Sequence, residues 1–363
     1  MTVRERLRAM VAVDSVSSRP NRPMLELLVQ QLDGLGGRIE FHACGPDKTN
    51  LLYYLGPDGP PRLALVGHSD TVPYDAQWAE ALCLTEREGR AYGRGSADTK
   101  GGLAAIIEAL HRVDPKGWQH PMVFVATADE EIGCLGAKRM LADGVVHPTH
   151  AVIAEPTSLV PIRGHKGYCA DEVRVRGREA HSAYPHLGRS AILDAGRLLV
   201  GLESVADGLQ ADVDPSFDPP WTTLNVGTIQ GGKARNVIAG ECVFPVEWRP
   251  IPGQSLDLVH ERLQACVERS GVQAELTEVR RDPGVLTALD APIVQWLSEV
   301  TGHAAETVAF GTELPYLTGL GAESCVIGPG DIREAHRTGE FVPLDELEAA
   351  VEIYRRTILR FCQ

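Results

Sequence analysis

The feature that most constrains this chain is a set of short apolar runs with no polar interruption: "NLLYYLG" (50–56), "LALVG" (63–67), "MVFVATA" (122–128), "AVIA" (151–154) and "SCVIG" (324–328). A strand with one face in water alternates polar and apolar residues, whereas a strand covered on both faces does not. Helical stretches such as "GGLAAIIEALHRV" (101–113) separate the runs. The pattern predicts a mixed α/β sheet with helices on both faces.

Residues from about 167 to 282 have a different grain. Strand-like "YCADEVRVRG", "TLNVGTIQGG", "ECVFPVEWRP" and "QAELTEVRR" alternate with helix-like "SAILDAGRLLVGLESV" and "SLDLVHERLQACVERS". Their order, β-α-β-β-α-β, is that of the ferredoxin-like split unit. At 363 residues the chain has room for two domains. The expected organisation is a catalytic α/β domain over 1–166 and 283–363, interrupted by an inserted domain over 167–282. The second part of the catalytic domain closes with the strand at 324–328 and the helix "LDELEAAVEIYRRTILRFC".

Charge and composition exclude several function classes. Lys and Arg number 35 against 49 Asp and Glu, a net charge of −14, and no basic run exists that could neutralise several phosphates. Nucleic acid is therefore not an expected partner. No run approaches the ~18 apolar residues of a membrane span, and "MTVRERLRAMVAV" is charged where a secretory leader is apolar. A cytoplasmic protein without membrane partners is expected. The eight cysteines show no CxxC pair, which suits reduced thiols.

Open α/β sheets carry their chemistry beyond the carboxyl ends of the strands, and here those ends are rich in His and carboxylates. "LALVG" leads into His68 and Asp70, "MVFVATA" into Asp129, Glu130 and Glu131, and "AVIA" into Glu155; "SCVIG" precedes "PGDIREAH" with His336. In "GRGSADTKGG", Asp98 stands just before a glycine pair that opens a helix. Singly, each has a bland explanation as a turn residue, an N-cap or a satisfied histidine. Several buried strands ending this way together do not.

A donor set of His and carboxylate without Cys suits zinc, cobalt or manganese. His68, Asp98, Glu131, Glu155 and His336 are too many ligands for one catalytic zinc and suit two ions, with Asp98 as the bridge. His68 and Asp70, two apart on an extended segment, point to one side. Asp70 is then expected to orient the His68 imidazole rather than to bind metal. Glu131 is expected to bind metal while its neighbour Glu130, pointing elsewhere, faces the water as general base.

These motifs resemble a known family, the dinuclear-zinc amidohydrolases that include acetylornithine deacetylase, succinyl-diaminopimelate desuccinylase, aminoacylase and carboxypeptidase G. "GHSDTVP", "YGRGSADTKGG", "ATADEE", "IAEPTS", "GREAHSAYPHLGRSAI", "WRPIPG" and "GPGDIREAH" follow the family's order and spacing over nearly the whole chain. "AEPTSLVPIRGHKGY", "TLNVGTIQGGKARN" and "FGTELPY" look most like its acetylornithine deacetylase branch. Thr99 stands where many relatives have Met.

The resemblance implies two Zn2+ ions, with Co2+ as a substitute. His68, Asp98 and Glu155 would hold one ion and Asp98, Glu131 and His336 the other. Glu130 would take the water proton and pass it to the leaving amine. His181 in "EAHSAYP" would reach, in a homodimer formed through the inserted domain, into the partner's site to stabilise the oxyanion. Asn236 and the loop carrying Thr312 and Glu313 would contact substrate, and Arg249 has the planar fork that grips an α-carboxylate. The substrate implied is N2-acetylornithine, hydrolysed to ornithine and acetate in arginine synthesis. Another N-acyl amino acid (acetylcitrulline, an acyl-lysine, succinyl-diaminopimelate) and a dipeptide are the other hydrolytic readings; a non-catalytic ligand-binding relative is the reading from a different class.

Overall fold

A computed structural model describes residues 1–363, which form two compact units. The first comprises Met1–Gly164, Thr287–Glu306 and Thr312–Gln363; the second comprises His165–Leu286 with Thr307–Gly311. The second unit thus begins two residues before the expected 167, ends four residues after 282, and gains a short later segment. The main chain accounts for that gain: Lys166 N donates to Val308 O at 3.3 Å, and the Thr307 hydroxyl donates to Ser216 O.

In the first unit the sheet runs Arg38–Gly45, Lys48–Leu55, Met122–Thr127, Leu63–His68, His150–Ile153, Glu323–Val326. The last four of these are mutually parallel, and Lys48–Leu55 joins antiparallel, so the sheet is mixed. Leu63–His68, Met122–Thr127 and His150–Ile153 are buried at every residue, as their unbroken apolar runs require. The helix Lys100–His111 is buried from Lys100 to Leu110 and packs against Leu344–Cys362 and Val3–Val11. Thr2 and Glu5 close a capping box that starts Val3–Val11. Arg38–Gly45 mixes exposed and half-buried residues, so no continuous apolar run announces it.

The second unit has the chain order Tyr168–Arg176, Ala191–Leu209, Thr223–Asn225, Glu241–Arg249, Leu258–Ser270, Ala274–Asp282. Its antiparallel sheet runs Thr223–Asn225, Glu241–Arg249, Tyr168–Arg176, Ala274–Asp282. The expected strand "TLNVGTIQGG" is split. Asn225 pairs with Glu247 and Gln230 with Val243, five residues on one side against four on the other. The extra residue breaks the ladder, leaving Gln230–Gly231 as a separate short strand.

Candidate active site and metal centre

The parallel register of the first unit sets the site. His68 pairs with Thr127 on one neighbour, and Val66 pairs with Ile153 on the other. His68 and Glu155 each lie two residues past the Val66–Ile153 pair, so the two-residue pleat brings them level on one face. His68 Nε2 lies 3.8 Å from Glu155 Oε1.

Asp98 arrives from the loop before the helix Lys100–His111. A Cβ on Gly101 would lie 2.4 Å from Ser96 O, and one on Gly102 would lie 2.6 Å from Ala154 O. Only a pair without side chains lets this helix start against the carbonyl that precedes Glu155. The Thr99 hydroxyl donates to that same Ala154 carbonyl, so Thr99 also has a packing role.

Asp98 meets one histidine on each oxygen: His68 Nε2 at 2.9 Å from Oδ1 and His336 Nε2 at 3.1 Å from Oδ2. His336 Nε2 is also 2.9 Å from Glu131 Oε2. Ligand atoms of His68, Asp98 and Glu131 all lie within 4.8 Å of one another. His68, Asp98 and Glu155 are buried, whereas the His336 side chain is 52% exposed and marks the open side.

Asp70 meets the His68 ring chiefly through its main chain. Its main-chain carbonyl lies 3.0 Å from His68 Nδ1, and its carboxylate Oδ1 is at 3.6 Å. A carbonyl only accepts, so Nδ1 carries a proton and Nε2 is the atom turned to Asp98. The carboxylate instead accepts from Glu130 N at 3.1 Å and from Ser17 Oγ at 2.7 Å. It therefore fixes the segment that carries Glu130. At the same turn Asp129 has φ of 56° and pairs with Lys48 at 2.5 Å, which lets Glu130 and Glu131 leave in different directions. Cys134 Sγ donates to Glu130 Oε1 at 3.4 Å.

The charges are strongly coupled. Burial opposes ionisation of Asp98, but hydrogen bonds from His336 and His68 hold its carboxyl below the usual range. Burial likewise opposes a charge on His68, yet its bonds to Asp70 and Asp98 and the charge of Glu155 raise it well above an ordinary histidine. Hydrogen bonds to Asp98 and Glu131 raise His336 to about 10. Burial, with the charges of Glu131, Glu313 and Asp98, pushes Glu130 up to about 8. Burial and Asp98 raise Glu131, and burial, Asp98 and Glu130 raise Glu155. A buried group of carboxylates facing two histidines holds more negative charge than it can comfortably ionise. A divalent cation resolves that, and Glu155 Oε1, buried without a hydrogen-bond partner, is a donor left open for one. The residues fit a two-ion centre.

Glu313 is not a solvated loop carboxylate. It precedes the short helix Leu314–Gly319 and is fully buried, with the Thr127 side chain beside its carboxylate. Burial pushes it to about 7. The neighbouring Thr312 hydroxyl accepts from Leu314 N at 3.1 Å.

His181, Asn236 and Arg249 belong to the second unit. His181 is exposed and its main chain bridges to Val237; Asn236 O accepts from Ser182 N at 3.0 Å. His181 Nδ1 accepts from Ala183 N at 3.1 Å, which leaves the proton on Nε2 as a donor. Arg249 stacks its guanidinium 3.8 Å over the Tyr168 ring and uses Nε on Glu247 at 3.0 Å.

Sequence reasoning missed the supports. Arg94 stands within "YGRGSADTKGG" but was given no role, Ser17, Lys48 and Glu340 carry no motif, and Glu340 reaches Asp98 from 242 residues away. Only the structure brings them to the site.

Known proteins share the sequence pattern and the fold. The family model described as "Peptidase family M20/M25/M40" matches residues 64–360. An acetylornithine deacetylase of Myxococcus xanthus is 47% identical, over 99% of this chain and 97% of its own length. An M20 family metallo-carboxypeptidase of Sulfolobus solfataricus superposes with a TM-score of 0.82 at 16% identity, covering 99% of this chain and 98% of its own. A dinuclear metal binding peptidase of the M20 family from Bacillus subtilis superposes at 0.71 and 16% identity, covering 99% of this chain and 97% of its own. With the family model covering most of the chain, this protein belongs to the peptidase family M20/M25/M40, the metal-dependent hydrolases of amide bonds.

Proposed function

We propose that this chain removes the acetyl group from N2-acetyl-L-ornithine, giving L-ornithine and acetate. The observation that carries this reading is the full-length likeness to an acetylornithine deacetylase together with the buried His and carboxylate centre. Zinc is the metal we assign, held by His68, Asp98 and Glu155 and by Asp98, Glu131 and His336, with cobalt as a substitute. When bound, the ions supply an acidified water and positive charge for the carbonyl oxygen. Glu130 takes a proton from the attacking water as the O–C bond forms. It returns that proton to the ornithine nitrogen as the C–N bond breaks. Asp70 keeps both His68 and the Glu130 segment in place. Arg249 grips the α-carboxylate, while Asn236 and Thr312 line the substrate. Glu313, a buried carboxylate, faces the cationic side chain of the substrate.

The test is amine release from a panel of N2-acetylornithine, acetylcitrulline, N-acyl-lysines, succinyl-diaminopimelate and dipeptides. The acetylornithine rate is expected to lead. A faster rate on another member keeps the chemistry and reassigns the substrate. Growth of a deletion strain without added arginine would count against the cytoplasmic arginine-synthesis role.

The second unit we assign as a ferredoxin-like domain that joins two copies, so that the His181 Nε2–H of one copy donates to the oxyanion in the other. Its helix Ala191–Leu209 leaves Ile192, Leu193 and Val200 exposed, the kind of apolar face a partner covers. Mixing a Glu130-disabled subunit with a His181-disabled one should restore activity through one intact composite site. No recovery after proven subunit exchange refutes the shared site.

A further inference from the structure

We propose that Glu340 is a positioning residue that sets the span between Asp98 and His336 and thereby builds the second metal position. This rests on the two-ion reading of the site.

Glu340 is fully buried, and both its oxygens are used. Oε1 accepts from the consecutive main-chain N–H groups of Ala97 and Asp98, at 3.0 and 3.1 Å. Oε2 accepts from Arg94 Nη1 at 2.5 Å. Arg94 is itself held, with Nη2 on Pro73 O at 3.3 Å and its guanidinium 5.4 Å from the Trp78 ring centroid. On the main chain, Glu340 O accepts from Gly93 N at 3.1 Å and Glu340 N donates to Arg337 O at 3.3 Å. One residue therefore binds the Gly93–Asp98 segment by side chain and backbone together, and closes the turn that follows His336.

His336 needs such support. Its ring is half in solvent, its φ is 59°, and Asp98 and Glu131 are its only ion-pair partners. Without packing around the ring, its position is inherited from its loop, and Glu340, four residues on, ties that loop to the backbone of Asp98. The carboxylate that bridges and the histidine that completes the second position are thus referenced to one another by one buried side chain. The first position depends on that tie through Asp98 alone, because its other two ligands, His68 and Glu155, are set by the sheet register.

The experiment measures metal content and affinity, independent of turnover. Full-length wild type, Glu340→Ala and Glu340→Gln are stripped of metal, then titrated with zinc by calorimetry and with cobalt by absorption. Wild type is expected to take up two ions. Glu340→Ala is expected to keep the first and to bind the second about 10–100-fold more weakly. Glu340→Gln, isosteric and still able to accept an N–H, should show the same selectivity to a smaller degree, and it carries the test should the alanine variant fail to fold. Both ions bound at wild-type affinity, or both weakened in parallel, overturns the inference. Wild type taking up fewer than two ions overturns the metal reading itself and this inference with it.

Discussion

At the residue scale the proposed hydrolysis depends on Glu130, whose carboxylate would accept a proton while its neighbours would hold metal. Glu130→Gln keeps volume and leaves every assigned ligand in place. Its kcat should fall by about 10²–10⁴-fold, with metal content by atomic spectroscopy unchanged. Near-normal turnover at normal metal content would remove Glu130 from the mechanism. That His68, Asp98, Glu131, Glu155 and His336 come together was legible because His and carboxylates at the ends of apolar strands are visible in one dimension. Asp70 was legible as an orienting partner for His68, but its carbonyl is the closer atom, and no sequence distinguishes a carbonyl from a carboxylate of the same residue. Ser17 and Glu340 were not legible at all. Ser17 donates to Asp70 and Glu340 accepts from main-chain N–H groups and Arg94, partners brought close only by the fold, so nothing nearby in the chain marks either residue.

At the element scale the helix Lys100–His111 delivers Asp98 through its glycine pair. Gly102→Ala would place a methyl 2.6 Å from Ala154 O and 2.7 Å from Ala154 Cβ, directly before the ligand Glu155. Relief must come from moving the helix or that strand end, at a cost of about 1–3 kcal/mol. Lower thermal stability and weaker binding of the ion at His68, Asp98 and Glu155 are expected. Gly208→Ala, in the last turn of Ala191–Leu209, where a new Cβ would meet only the flexible Arg262 Nη1 at 3.4 Å, should not destabilise. Equal behaviour of the two variants in melting and metal titration would contradict the close-approach argument. Elements with one strong period were readable: the terminal helix spans Leu344–Cys362, as its pattern indicates. The split at Asn225/Gln230 was not, since a one-residue mismatch between partners is a property of the pair rather than of either strand.

At the scale of the whole molecule, the metal-free protein stores extra protons. His68, His336, Glu130, Glu155 and Glu313 are all raised. Asp98 and Asp70 are lowered, which matters only near and below the ordinary carboxylate range. A histidine raised to about 10 contributes stability that is complete below its ordinary value near 6.5 and is lost as pH climbs through 10. Glu130, raised to about 8, favours folding while protonated and loses that advantage from about 4.5 upward. Both signs agree; Lys100, lowered to about 7 by burial, opposes them from about 7 upward but does so with and without metal, so between pH 6.5 and 9.5 the Tm of stripped protein should fall relative to that of metal-loaded protein. Solvent screens the share of half-exposed His336. Metal-loaded protein, whose ligands have already released their protons, should fall less. Parallel curves would show that the protons are held elsewhere.

The central claim is hydrolysis by a metal centre built from these strand ends, and it is met most directly by stripping the protein, adding back zinc or cobalt in steps, and following amine release from N2-acetylornithine. Release should be absent without metal and should rise with the ions bound. Full turnover by stripped protein, or none by protein holding two ions per chain on any N-acyl amino acid, would contradict the account.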